Sequence, residues 1–318
     1  MPSSGVDRLV LQSRDYGWDW FAPRLTRTVR EWGPDGVLCM GRMANCYGGR
    51  LAAAVPRARV IATLRTGKPL PWLFRRSLRR VAHVVANSEE SRGALVSVHG
   101  IAKERTSVIH NALVFPPDAN AMSGAGGAGQ AAALREGADA GDLVMLCVGM
   151  FRPEKNQREL IEIASRLPHE AGWRLWFVGE GWTRAACEEL ARRRGIAQRV
   201  RFFGFQENPA ALYRTADLAV LASGSESLSN FLIEAHAHGL PSVSYEVTGV
   251  RECGGIVVPR GDPDAFLAQV SRFIADRAAL KAESQRVRTY ALAQFSPQRQ
   301  TAAYLDLFAR LCLPASSA

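Results

Sequence analysis

Apolar positions along the chain fall into short runs separated by stretches with helical spacing. In the first half the runs are RLVLQ (8–12), GVLCM (36–40), RVIAT (59–63) and HVVANS (83–88), and SVIHN (107–111) closes the half. FAPRLTRTVREW (21–32) has the 3.6-residue period of a helix. EESRGALVSVHG reads as another, begun by the cap Ser88 and stopped by Gly100. The rhythm then sharpens: strand LVMLCVG (143–149), helix PEKNQRELIEIASRL (153–167), strand RLWFVGEG (174–181), helix TRAACEELARRRG (183–195), strand VRFFG (200–204). Helix NPAALYRTA (208–216), strand DLAVLAS (217–223), a helix within SGSESLSNFLIEAHAHGLP (223–241) and strands LPSVSYE (240–246) and GGIVVP (254–259) follow. Strands alternating with helices predict parallel sheets covered on both faces. The expectation is α/β, with two Rossmann-like doubly wound domains facing each other across a cleft lined by loops at the strand C-termini.

The segment PPDANAMSGAGGAGQAAALREGADAGD (116–142) has little to bury and reads as a linker. It separates an N-terminal domain (1–115) from a second domain (143–295), and residues 296–318 are expected as a helix packing back toward the first. Hydrophobic residues at 47 % and charged residues at 22 % exclude a disordered chain. No apolar run reaches membrane-spanning length, and the first residues lack the succession of a signal peptide, so a cytoplasmic protein is expected. The six cysteines form no CxxC pair or Cys/His cluster, which points to reduced thiols and no metal site.

Charge changes this picture. Of the net +10, most lies in residues 1–140, which hold 19 Lys/Arg against 11 Asp/Glu; the remainder holds 21 against 19. PLPWLFRRSLRR (69–80) sets Trp72, Leu73 and Phe74 beside Arg75, Arg76, Arg79 and Arg80. That mixture suits an anionic membrane surface or an anionic acceptor, and equally an amphipathic helix with its apolar side on a sheet. No nucleic-acid motif accompanies the basic residues, so nucleic acid is not an expected partner.

Three strand-to-helix junctions of the second half could receive an anion. VGMFRPEKN (148–156) ends a strand at Gly149 and sets Arg152 and Lys155 at a helix start, where free N–H groups and two cations suit a diphosphate. In VGEGW (178–182), Gly179 and Gly181 allow a close backbone approach or only a tight turn. In SGSESLSNFLIEAHAHGLP the cap residues Ser225, Ser227, Ser229 and Asn230 place Glu226 in the loop and Glu234 a turn inside the helix. Both carboxylates could then point at one elongated ligand. His236 and His238, two apart, diverge on a helix and make no zinc pair; they are expected to pack near the helix C-terminus, where a cation is favoured.

Taken in order, SVIHNAL, VGMFRPEKN, WFVGEG, VRFFGF, YRTADLAVLAS, ESLSNFLIEAHAHGLP, TGVRE and GGIVVPRGDPDAF resemble the retaining nucleotide-sugar glycosyltransferases of family 4, which have the GT-B architecture. The resemblance implies a nucleotide-sugar donor, favoured as a UDP-sugar, held by the second domain, a glycan or lipid-linked acceptor on the first, and no obligatory cofactor. Carried onto this chain, it makes Lys155, helped by Arg152, neutralise the departing diphosphate, and Glu226 hydrogen-bond hydroxyls of the donor sugar. The amides of Leu228, Ser229 and Asn230 would lie near the phosphate, Glu234 would bind the ribose, Gly204, Phe205 and Gln206 would meet the base, and Gly149, Gly179 and Gly181 would shape the pocket.

The chain departs from the family pattern at Met150, where an arginine usually follows the glycine, and at Arg65 or Thr66, where a histidine is usual. Nothing before Val6 supplies the family's first strand, glycine-rich loop and long helix, so the first domain is expected to lack those elements here, with missing upstream residues favoured over a reduced domain. A non-catalytic nucleotide-sugar-binding subunit and a sugar-nucleotide epimerase of the same fold stand as alternatives.

Overall fold

The computed structural model describes residues 7–11, 18, 22, 24–114, 133–139 and 141–312. The chain divides into two units, one holding the residues through Ile109 with those from Thr301 on, the other His110–Gln300.

In the first unit α1 (Leu25–Trp32), β1 (Gly36–Cys39), α2 (Arg42–Ala54), β2 (Arg59–Leu64), α3 (Trp72–Leu78), β3 (His83–Ala86), α4 (Glu89–Ser97) and β4 (Thr106–Val108) follow in order. The sheet runs β1-β2-β3-β4 with every pair parallel. Its strands are apolar on both faces because both are covered. Cys39, Val60, Ala62 and Leu64 join the core beneath α2 and α3, while Ile61 and Val85 on the other face meet Leu307 of the last helix, α11 (Pro297–Cys312). Ser88 caps α4 as its spacing predicts, accepting from the Ser91 N–H at 3.1 Å.

One apolar run is not a strand. Residues 7–11 are irregular, with Leu9 54 % and Val10 68 % exposed. An alternation of apolar residues makes a strand only where a neighbouring strand accepts its ladder, and none does so here among the described residues.

The second unit contains β5 (Leu143–Val148), α5 (Gln157–Ala164), β6 (Trp173–Val178), α6 (Arg184–Arg193), β7 (Val200–Phe202), α7 (Ala210–Thr215) and β8 (Leu218–Leu221). They are followed by α8 (Asn230–Ala237), β9 (Ser242–Tyr245), β10 (Ile256–Val258), α9 (Pro263–Ala275) and α10 (Arg277–Gln294). The parallel sheet has the order β10-β9-β8-β5-β6-β7, so the chain winds outward from β5 one way and from β8 the other. Alternate residues of one strand feed opposite cores: Leu143, Met145 and Cys147 face one, Val144 and Leu146 the other. The crevice at the C-terminal ends of β5 and β8, where strand order reverses, is where such sheets bind ligands.

Two boundaries differ from the pattern. The helix expected from Pro153 begins at Gln157, because Asn156 turns left-handed (φ 50°) and leaves Pro153–Lys155 as a separate 3-10 turn. At the C-terminal end of the predicted linker, Arg135 bonds the Asp217 carboxylate at 2.6 Å and Asp142 pairs with Arg174 at 2.8 Å, so those charges fasten the segment to the second unit. The remainder of 116–142 lies mostly outside the described residues.

Candidate functional site at the switch point of the second sheet

The loops after β5 and β8 meet at this switch point. Lys155 Nζ donates to Glu226 Oε1 at 2.7 Å across 71 positions of sequence. The Glu226 side chain is 9 % exposed and that of Lys155 29 %. The Gly224 N–H donates to the Glu154 carbonyl at 2.8 Å, so the two loops are also joined by backbone. The sequence places Lys155 at a helix start; it stands instead on the 3-10 turn one step ahead, which brings its ammonium to Glu226. Arg152 is exposed on the same turn. Met150, at the family's arginine position, is 52 % exposed and supplies no charge.

The loops continue the sheet's hydrogen bonding beyond its strands. Gly149 N–H donates to Val178 O, Phe151 N–H to Glu180 O (both 2.9 Å), and Gly179 N–H to Gly204 O (2.7 Å). Gly179 (φ 133°) and Gly181 (φ 150°) permit this: a Cβ on them would stand 2.1 Å from Gly149 O and 2.2 Å from Phe151 O. The glycines of VGEGW are therefore required by backbone approach to the neighbouring loop, whatever they offer a ligand. Gly204 is likewise left-handed, Phe205 next to it is 73 % exposed, and Gln206 donates to its own Phe203 carbonyl.

On the β8 side Ser229 caps α8, its hydroxyl accepting from the Leu232 N–H at 3.4 Å, and Leu228 and Ser229 are buried. Asn230 accepts at its carbonyl oxygen from Asn111 Nδ2 (2.6 Å). Glu226 and Glu234 do not converge on one another. Glu226 turns to Lys155, while Glu234, 3 % exposed, accepts the Val114 N–H at 2.7 Å. Two side chains escape sequence reading: Gln157 and Ser223 are buried, with Gln157 Oε1 and Ser223 Oγ lacking a protein hydrogen-bond partner. Gln157 opens α5 and Ser223 lies in the loop after β8, and an amide one residue past a turn carries no sequence signal of its own. Arg260, after β10, also reaches the Gly224 turn, its Nη2 3.3 Å from where a Cβ on that glycine would stand.

The histidines of α8 are scaffold, with one correction. His236 is fully buried; its Nδ1–H donates to Cys253 O at 2.9 Å and its Nε2 accepts from the Ser242 hydroxyl at 2.8 Å. Burial lowers its pKa from 6.5 to about 4, so it is neutral, not the cation that a helix C-terminus favours. His238 stacks on Tyr213, ring centroids 5.4 Å apart. The unfolded chain takes up this proton near pH 6.5 and the folded chain only near 4. Stability present above pH 6.5 is therefore lost as pH falls toward 4, by roughly 3 kcal/mol. Thermal unfolding from pH 7 to 4.5 is expected to fall more steeply for the wild type than for His236→Gln; equal slopes would exclude this source. All six cysteines are free, and burial pushes Cys39 and Cys187 up to about 11 and Cys147 and Cys253 up to about 12, leaving these four as neutral thiols.

Known proteins are similar to this chain in sequence and in fold. Residues 142–276 match a family model described as glycosyl transferases group 1, and residues 5–113 one described as glycosyltransferase family 4. Two lipopolysaccharide core biosynthesis glycosyltransferases of Rhizobium meliloti (strain 1021) are similar. LpsE is 33 % identical over 171 residues (52 % of this chain, 49 % of that protein) and LpsD 32 % over 187 residues (56 % and 52 %). The chain thus spans about half the length of these relatives. Anabaena Alr3699/HepE in complex with UDP superposes with a TM-score of 0.78 at 19 % identity, covering 91 % of this chain and 81 % of that one. The chain belongs to the family 4 glycosyltransferases and has their GT-B fold.

Proposed function

We propose that the protein transfers a sugar from a nucleotide-sugar donor, a UDP-sugar by preference, to a cell-surface glycan or glycolipid acceptor with retention of anomeric configuration. The Lys155–Glu226 pair at the switch point carries this reading. Breaking the glycosidic bond puts positive charge on the sugar and negative charge on the departing diphosphate. A fixed ammonium and a capped helix start stabilise that diphosphate in the transition state more than in the ground state. Lys155, with Arg152, takes this role, and the amides of Leu228, Ser229 and Asn230 complete it. Glu226 orients sugar hydroxyls, and the leaving phosphate accepts the acceptor's proton, so Glu226 is a positioning residue and not a nucleophile. The ribose is assigned to Glu234, whose Oε1 then exchanges the Val114 amide for a hydroxyl donor. The base is assigned to Gly204–Gln206.

The relative in complex with UDP, also known in complex with UDP-glucose, supports the choice of nucleotide. Titration calorimetry of the full chain with UDP-sugars and GDP-sugars, paired with a product assay, tests the reading. UDP-sugars are expected to bind and turn over. Absence of binding by any sugar nucleotide overturns the donor reading, and binding without turnover on any acceptor would identify a non-catalytic subunit.

No described helix is long and apolar enough to cross a membrane. We assign the outer side of α3 to peripheral contact with an anionic membrane. Phe74 and Leu78 are buried in the sheet's core, as an amphipathic helix requires, but Trp72 is 60 % exposed with Arg76 over its ring at 5.2 Å. Arg75, Arg79 and Arg80 are exposed beside it. Arginines near an anionic surface contribute about 1 kcal/mol each. Sedimentation is expected to show strong, salt-sensitive binding to vesicles containing phosphatidylglycerol and weak binding to phosphatidylcholine alone; equal binding to both would refute it.

A further inference from the structure

A cleft of about 570 Å³ opens in the second unit beside the residues that lead into β5, β8 and β9, at the end of the sheet opposite the switch point. Arg135, Arg214, Arg277 and Lys281 line it, with two aspartates, Asp142 and Asp217. Both aspartates are already engaged. Asp217 accepts from Arg135 at 2.6 Å and from the Val144 N–H at 2.8 Å, and Asp142 pairs with Arg174 at 2.8 Å. Arg277 donates to the Gly141 carbonyl at 2.6 Å. Arg214 and Lys281 are left with no carboxylate or hydrogen-bond partner among the described residues.

The helices set where these cations stand. Arg277, Lys281, Ser284 and Arg288 follow at i, i+4, i+7 and i+11, which is one face of α10. The Ser284 hydroxyl donates to the Gly239 carbonyl and fixes that face to the end of α8. Arg288 Cδ passes 3.7 Å from where a Cβ on Gly239 would stand. Arg214 arrives on the last turn of α7. Like charges at i, i+4 cost a helix stability, and α10 buries Leu280, Val287 and Ala291 without using them. An anion in the cleft offsets that repulsion. Part of the lining is apolar: Pro241, and the imidazole of His238 stacked on Tyr213 with ring centroids 5.4 Å apart.

We infer that this cleft binds a phosphorylated small molecule other than the donor, its phosphate held by Arg214 and Lys281 and its organic part against His238 and Pro241. The volume lies within the roughly 300–1,000 Å³ of small-molecule sites. A guanidinium supplies paired hydrogen bonds to phosphate oxygens and an ammonium supplies a point charge, so the two cations divide one phosphate between them. Helix α8 joins this place to the switch point: Ser229 caps its start there, and His238 and Gly239 end it in the cleft. The inference goes beyond the transfer reaction and does not depend on it.

The test is calorimetric titration of the full chain, with UDP saturating, by inorganic phosphate, glucose 1-phosphate and, as the neutral control, glucose. Wild type is compared with Arg214→Gln/Lys281→Gln and with Arg193→Gln/Lys103→Gln, which removes two charges elsewhere; melting curves confirm folding. Glucose 1-phosphate is expected to bind the wild type more tightly than inorganic phosphate does, and glucose not at all. Its affinity should fall tenfold or more in the first variant and stay unchanged in the second, with UDP affinity the same in all three proteins. Lys281→Glu, at an exposed position, should give the same loss and carries the test if the double variant does not fold. Binding of neither phosphate probe, equal binding by wild type and the Arg214 and Lys281 variants, or displacement of the probe by UDP overturns the inference. Failure of UDP to bind would sink the donor reading, while the variants would still decide the cleft.

Discussion

Lys155→Ala is expected to lower sugar transfer by about 10²–10³-fold, the usual effect of removing one fixed charge-stabilising group from a transition state. Two effects combine. The departing diphosphate loses its ammonium, and Glu226, whose side chain is only 9 % exposed, loses the partner 2.7 Å away. A buried carboxylate stripped of its cation destabilises its surroundings, so melting must be measured with the kinetics. Lys155→Ala/Glu226→Gln separates the two. If the loss is electrostatic, the double variant recovers the melting temperature and not the rate. A single variant with unaltered turnover and weakened folding would make the pair a structural tie alone. Lys155→Arg keeps the charge but replaces a compact ammonium by a planar fork, and is expected to recover part of the rate.

Gly249→Ala is expected to be the most damaging single methyl in the second unit. Gly249 is left-handed (φ 74°), and a Cβ there would stand 1.8 Å from the Ser227 carbonyl and 3.2 Å from Leu228 Cα. The left-handed cost of about 1–2 kcal/mol is joined by an overpacking cost of about 1–3 kcal/mol, since both obstacles are backbone and cannot rotate away. The displaced segment is the one whose amides precede α8, so nucleotide binding should fall with the melting temperature. Gly195→Ala is the comparator: its φ of 72° is nearly the same but nothing lies within 4 Å. It should show only the first cost. Equal losses at both positions would mean that the close approach has no energetic weight.

Much of this was readable beforehand. In the second unit, continuous apolar runs separated by capped helices leave a covered parallel sheet as the natural solution, and Ser88 and Ser229 announce their helices through oxygen placed to meet a free N–H. What could not be read is pairing across distance. RLVLQ has a strand's composition, yet a strand needs a neighbour, and local pattern carries no record of one. Lys155 and Glu226 were separately conspicuous, but their contact depends on Asn156 turning left-handed and ending the 3-10 turn before α5. The charge of His236 is hidden from the sequence for the same reason: helix position argues for a cation, while burial beneath Ser242 and Cys253 decides for the neutral ring.

The backbone rungs that run past the ends of β5, β6 and β7 have a consequence for how this site can change. Because Gly149, Phe151 and Gly179 are held by main-chain amides and carbonyls, the path of the loops does not depend on the identity of the side chains they display. Met150, Glu180 and Trp182 project from that fixed path into solvent. Substitution there changes what an arriving molecule meets without shifting the frame that holds Lys155. Selectivity can therefore drift in such a protein while its chemistry stays in place, with the glycines as the positions that do not vary freely.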